Sequence, residues 1–377
     1  MSIKINVRSP YFIKVEDNLL SSVNFDLYVW NGNSNASPST PTYSFSKSVV
    51  STNKYIMFEV ADYVRDHIET EYSNYATSSV WVQWVYQMVD AAGSNIGSAI
   101  TSAPYLAVDG YGFFEEGINP DLARDLLQSN TDIYYHDGQD VVFSVFSEDV
   151  QSVSMTSSGA PEVKWEDVAL YWENDSALWE SGSTAQTITD SIDSGNKIQY
   201  VRITDTENLN DGDTVTITKR ASAGGGTIIL TLKKICEQKY STYKAIFYNK
   251  FGAMQDFTFF KKSSKTLSIS SDTFKRNIID VSNVSGPSYN TASHQIKAFN
   301  INGNEKITLN TGFYPEDFND ILEQLMLSEE VWLDNGQTVL PVRPVSGSLA
   351  YKTSVNDKLI SYSLDFEYAY DKINSIR

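Results

Sequence analysis

The run "LISYSLDFEYAYD" near the end of the chain constrains the fold more than any other stretch. Ile360, Tyr362, Leu364, Phe366, Tyr368 and Tyr370 alternate with Ser361, Ser363, Asp365, Glu367 and Ala369. Side chains of a β-strand point to opposite faces in turn, so this period of two predicts a strand with one packed face and one wet face. The period recurs from the start of the chain, at Ile3, Ile5 and Val7. It returns in "KYIMFEV", in "SSVWVQWVYQMV" with Trp81 and Trp84, in "DVVFSVF" and "VQSVSM", and in "IQYVRIT", "DTVTITK" and "TIILTLKKI". "YKAIFYN", "MQDFTFFKK", "HQIKAFNIN" and "EKITLNT" continue it, and "NGQTVLPVRPV" reads as a turn and an edge strand with Pro341 and Pro344.

Helical spacing is rare. Val60, Tyr63, Val64 and Ile68 predict one short helix, and Pro120 with Leu122, Leu126 and Leu127 a helical turn. Phe318, Ile321, Leu322 and Leu325 fall at i, i+3, i+4 and i+7 after Pro315, with Glu316, Asp317 and Asp320 suited to the positive helix start. The expected fold is therefore all-β with a few short helices, built as several β-sandwich domains. Residues 1–116 form the first sandwich, 117–134 a linker, and 135–275 a second sandwich with an insertion near 165–197. Residues 276–377 form a C-terminal β domain with a helix at 315–327.

The 377 residues suit two or three cores. With 47 acidic and 29 basic residues the net charge is −18, which opposes phosphate backbones and anionic membranes, so neither nucleic acid nor membrane is expected as a partner. Aromatic residues reach 13%, the level of a chain that builds broad contact surfaces from Tyr and Phe. The single cysteine, Cys236, has no partner for an internal disulfide. The start of the chain reads as a strand rather than a leader, and no apolar run reaches the roughly 18 residues of a membrane span, so folding in a cytosol is expected.

Few residues invite chemistry. Cys236 follows "LTLKKI" and reads as a half-buried strand residue acting as a small hydrophobe rather than as a nucleophile. The three histidines, His67, His136 and His294, are far apart, and His136 in "YYHDGQD" reads as a turn residue rather than a base or metal ligand. Gly224–Gly226 lie between two strands and lack the Lys-Ser/Thr of a phosphate-binding loop, so they predict a hairpin. Asn210, Asp211 and Asp213 match part of a calcium loop but also an Asp-Gly turn, the preferred reading. Glu115 with Glu116 and Glu329 with Glu330 are pairs that 47 acids produce by chance. Trp165, Trp172 and Trp179, with Tyr171, are candidate sugar-stacking residues, or equally core and interface residues. No catalytic residue, cofactor or metal is expected.

Three pieces carry a resemblance. They are "YKAIFYNKFGAMQDFTFFKKS" (243–263), "SIKINVRSPYFIKV" with "FEVADYVRDHIE", and "SEEVWLDNGQ" with "YKTSVNDKLISYSLDFEYAYDKIN". Together the chain resembles virion structural proteins of tailed bacteriophages of marine and Bacteroidota hosts, over nearly its whole length and in the same order, with 165–197 matching least. The resemblance implies a non-enzymatic tail, distal-tail or baseplate subunit, assembled in the bacterial host cytoplasm and located in the virion. Its partners would be copies of itself, in a ring, and other virion tail proteins. It also implies a tail-tube-like C-terminal domain. Phe318, Ile321, Leu325, Tyr362, Phe366, Tyr368 and Tyr370 are then candidates for packing between subunits, the other placement being the domain's own core. The alternative is a virion adhesin that binds a host receptor or glycan through loop 31–42 and the Trp-bearing segment 165–180.

Overall fold

The computed structural model describes residues 4–50, 54–72, 75, 79–120, 126–156, 189–192, 197–204, 206, 209–236, 239–282, 284–345 and 359–373. The fold is all-β, with short helices α1 (Ala61–Arg65) and α2 (Asn319–Leu327). Three sheet systems follow one another along the chain.

In the first, the strand order is Lys4–Asn6, Tyr105–Val108, Ser79–Val89, Ser22–Trp30 and Tyr43–Ser48, with Asn95–Thr101 also pairing Ser79–Val89. The terminal pair Lys4–Asn6 and Tyr105–Val108 is parallel. A two-stranded layer, Phe12–Glu16 with Tyr55–Glu59, packs on this sheet together with α1. Alternation makes this possible: Val23, Phe25, Leu27 and Val29 point inward from one strand, and Phe25 stacks on Phe58 of the other layer at 4.4 Å between centroids.

The second system joins a five-stranded sheet to a two-stranded one. The sheet runs Thr189–Ser191, Val150–Thr156, Thr214–Lys219, Thr227–Lys234 and Asp132–Tyr135, and the pair is Val141–Phe146 with Ile198–Ile203. Alternation of buried and exposed positions is absent from Val141–Phe146, whose six residues are all buried, because further units cover its second face. The expected linker 117–134 is not a free tether: Leu126 bridges to Val145, and Asp132–Tyr135 is the edge strand paired in parallel with Thr227–Lys234.

The third system is a seven-stranded antiparallel sheet. Its order is Met254–Phe259, Tyr243–Tyr248, Val331–Asp334, Val339–Pro344, Ser363–Tyr368, Ile296–Asn310 and Ser264–Lys275. The hairpin 243–259 therefore lies in this sheet and not in the second sandwich, where its place in the sequence suggests it. Tyr243–Tyr248 pairs with Val331–Asp334, a partner far along the chain that no local pattern announces. The apolar face of α2, preceded by the 3-10 turn Glu316–Phe318, closes one side of the core. The alternating C-terminal run breaks into two strands, Leu359–Ile360 on Tyr314–Pro315 and Ser363–Tyr368 in the large sheet, while its inward side chains keep their period.

Candidate functional site

The turn in "IFYNKFGAMQ" is where the three systems meet. Asn249 is fully buried and organises it. Its Nδ2 donates to Leu127 O at 2.6 Å and to Gln255 Oε1 at 3.0 Å, and its Oδ1 accepts from the backbone of Phe251 and Ala253. Tyr111 N donates to Lys250 O at 3.0 Å, and Lys250 N donates to Gln324 Oε1 of α2 at 3.0 Å. Gln324 in turn reaches Ser129 Oγ. Gly252 holds φ +73°, and a Cβ there would lie 2.9 Å from Gly110 N and 3.0 Å from Asp109 N. Only glycine combines that left-handed backbone with so close an approach. Phe251 and Ala253 then enter one apolar cluster with Trp30, Trp81, Leu106 and Val108 of the first system, Leu127, and Phe146 of the second.

Charged groups tie the same junction. Arg8 and Arg65 of the first system both pair with Glu329 of the third, at 3.5 and 2.5 Å, and Lys250 pairs with Glu116 at 2.5 Å. Asp109 is 4% exposed beside them, and burial pushes its carboxyl up to about 6 against the pull of Arg8. Deeper inside, Lys244 Nζ donates to Asp140 O at 2.7 Å and sits 3.2 Å from Asp256 Oδ2, while Tyr75 OH donates to Asp256 Oδ1 at 2.7 Å. Burial raises the Asp256 carboxyl above the usual range, with Lys244 opposing, and raises the Tyr75 phenol. These contacts lock one unit to another, since Asn249, Gln324, Lys244 and Asp256 all find partners on elements distant in sequence.

The residues singled out for chemistry stay apart. Cys236 is exposed just after the strand Thr227–Lys234 and not half-buried within it, because the chain leaves the sheet at Ile235 to reach the third system. His67 Nε2 lies 3.2 Å from Tyr43 OH, His136 Nδ1 lies 2.9 Å from Asp137 O in a loop of the second system, and His294 is exposed in the third. Gly224–Gly226 turn the hairpin between Thr214–Lys219 and Thr227–Lys234, all three with positive φ. Asp213 is buried and accepts from Asn210 N at 2.8 Å, and Asp211 accepts from Lys234 N at 2.9 Å, so both carboxylates serve the Asp-Gly turn. Among the described residues, no group of three or more His, Cys, Asp or Glu side chains gathers as metal ligands would, and no helix is long and apolar enough to cross a membrane.

Phe318, Ile321, Leu325, Tyr362, Phe366 and Tyr368 are all buried in the chain's own third core, the second of the two placements the sequence left open. Only Tyr370 is exposed, past the end of its strand, with its ring 5.5 Å from that of Tyr368. Trp165, Trp172 and Trp179 lie outside the described residues, as do most of the expected insertion and the helical turn at 121–125. Loop 31–42 is mostly exposed and is pinned at its start, where Trp81 Nε1 donates to Gly32 O and Trp30 Nε1 to Asn33 O, both at 2.8 Å.

One exposed surface is not announced by the strand pattern read from the sequence. Ser264–Lys275 and Ile296–Asn310 pair along almost their whole length and form a two-stranded arm. The second strand spans 15 residues, about 50 Å at ~3.3 Å per residue. The stretches "HQIKAFNIN" and "EKITLNT", read as two strands, are this single one. All twelve residues of Ser264–Lys275 are exposed, and so are Ile296–Ile301 opposite. A bulge at Ser270–Asp272 faces Asn300, whose φ is +51° and whose Nδ2 donates to Asp272. The arm is nonetheless apolar: Ile269 is 67% exposed, Val281 80%, and Leu267, Phe274, Ile296, Phe299 and Ile301 are exposed as well. At its base Lys372 and Lys265 clamp Glu305. The sequence signal was present, since Leu267 and Ile269 alternate with polar residues, but it was diluted by serine and threonine. No protein-family model matches the chain, and no curated protein is similar to it.

Proposed function

We propose that the chain is a non-enzymatic structural subunit of a bacteriophage virion, a distal-tail or baseplate component that assembles with copies of itself into a ring and contacts other tail proteins. It would assemble in the host cytoplasm and reside in the tail. The observation that carries this reading is the apolar two-stranded arm. Exposed apolar side chains gathered along a projecting arm fit a place where another molecule binds. The rigid three-way junction supports it too, since a subunit that bears load needs its sheets locked to one another. The third system, an antiparallel sheet with one helix on its face, has the layout expected of a tail-tube-like module, an argument at the level of fold alone. The resemblance to tail proteins points the same way.

Immunogold labelling of intact virions, with antibody raised against the purified chain, tests the reading. Label confined to the tail supports it. Particles without label, or labelled on the capsid, overturn it. The adhesin alternative has one structural support, the exposed loop 31–42 held by Trp30 and Trp81. A glycan array probed with the full chain and with a 165–180 deletion separates the two: saturable binding lost on deletion favours the adhesin.

A further inference from the structure

The arm differs from the rest of the chain in charge as well as in exposure. Residues 264–310 hold Lys265, Lys275, Arg276, Lys297 and Lys306 against Asp272, Asp280 and Glu305, a net of +2. The whole chain is −18, so everything outside the arm carries −20. An apolar, net-basic projection on a strongly acidic body is matched to a surface of the body's own kind. One such surface is well defined. Along α2 and the turn before it, Asp317, Asp320 and Leu327 are exposed and Glu323 is half-buried, at helical spacing, opposite the apolar face that enters the core. Arm and helix face are both open to solvent in the same chain, so neither covers the other within it.

From this we infer that the arm docks on a second copy of the chain, laying the face that carries Leu267, Ile269, Lys275 and Ile296 over the acidic face of α2. The two patches differ, so the contact is head-to-tail. Repeated around an axis it closes a ring, and if the rotation does not close it makes a filament. Alternate residues of a two-stranded ribbon face opposite ways, so the contact draws on one face of the outer arm. The inference deepens the structural-subunit reading and rests on it for the ring.

Light scattering of the full chain across concentration and salt tests the docking. Three variants accompany the wild type: Lys275→Glu/Arg276→Glu on the arm, Asp317→Lys/Asp320→Lys on the helix face, and the four changes combined. All four positions are on the surface, and circular dichroism checks that each variant is folded. The expected result is a wild-type oligomer that weakens with salt. Each pair of reversals should weaken association by roughly tenfold or more, and the combined variant should recover most of it. A further variant, Ile269→Asn/Ile296→Asn on that same face, should dissociate without regard to salt. An oligomer indifferent to all arm variants overturns the docking while leaving ring assembly intact. A wild type that stays monomeric at every concentration also overturns it and assigns the arm to a different protein. Virions without label, combined with charge-swap rescue, would instead retain the docking and remove the tail assignment.

Discussion

Gly252 sits at φ +73° with the backbone of Asp109 and Gly110 about 3 Å from where a Cβ would be. Alanine there meets two penalties at once: the left-handed backbone costs about 1–2 kcal/mol for a residue with a Cβ, and the overlap costs about 1–3 kcal/mol more because its neighbours are main-chain atoms that do not rotate away. Gly252→Ala should lower stability by about 2–5 kcal/mol, read as the urea midpoint. A midpoint unchanged from wild type would mean that the turn does not press on the first sheet. Glycines 224–226, although also at positive φ, have almost nothing within reach of a Cβ, so the position matters and not the residue type. The Asn-Lys-Phe-Gly break between the strand-like runs "YKAIFYN" and "MQDFTFFKK" is legible in the sequence as the turn that joins them. Its burial is not, because turns ordinarily lie at the surface and only the arrival of two other sheets covers this one.

At the scale of elements, the strand hairpin 243–259 is held by the buried ion pair of Lys244 and Asp256, and Asp109, buried itself, sets its backbone N against the turn at Gly252. Removing one partner of the pair strands the other. Lys244→Met should cost about 3–5 kcal/mol, and Lys244→Met/Asp256→Leu distinctly less, because the double change leaves no uncompensated buried charge. Denaturant midpoints of the two variants decide it; equal losses would mean that water already reaches Asp256. Asp109 acts in the opposite sense to a stabilising carboxylate. Its folded-state pKa of about 6 lies above that of an unfolded aspartate, so below about pH 4 it is neutral in both states and costs nothing. As pH rises from about 4 to about 6 the folded state releases its proton late, and stability falls. Arg8 and Arg65 offset part of that cost, and Glu329 and Glu330 add to it. Asp109→Asn should therefore match wild type near pH 4 and exceed it by about 2–3 kcal/mol at about pH 7. A difference that is flat across this range would show that Asp109 ionises freely in the folded protein.

For the molecule as a whole, the arm is separable from the three joined cores. No described residue of the outer arm belongs to the third core, which draws on Ile307 and Leu309 at the arm's base. Replacing residues 268–304 by an Asn-Gly turn should leave the thermal midpoint within about 4 °C of wild type, a change of less than about 1 kcal/mol for a domain of this size. Self-association should disappear with the arm. A collapse of the midpoint would make the arm part of the fold instead of a projection from it. The net charge of −18 opposes contact between bodies, so the proposed docking depends on the basic residues of the arm.

The sequence alone determined the β class, most strand positions, the inward face of α2 and the turns at Gly224–Gly226 and Asp211–Asp213. Each is encoded within a few residues, as period two, as helical spacing or as turn chemistry. Tertiary structure decided which sheet each strand joined, and so moved 243–259 from the second system to the third. It decided that Phe318, Tyr362 and Phe366 fill a core while Ile269, Phe274 and Phe299 face water. Alternation says that a strand has an apolar face; what that face meets is set by partners far along the chain, or by another chain altogether.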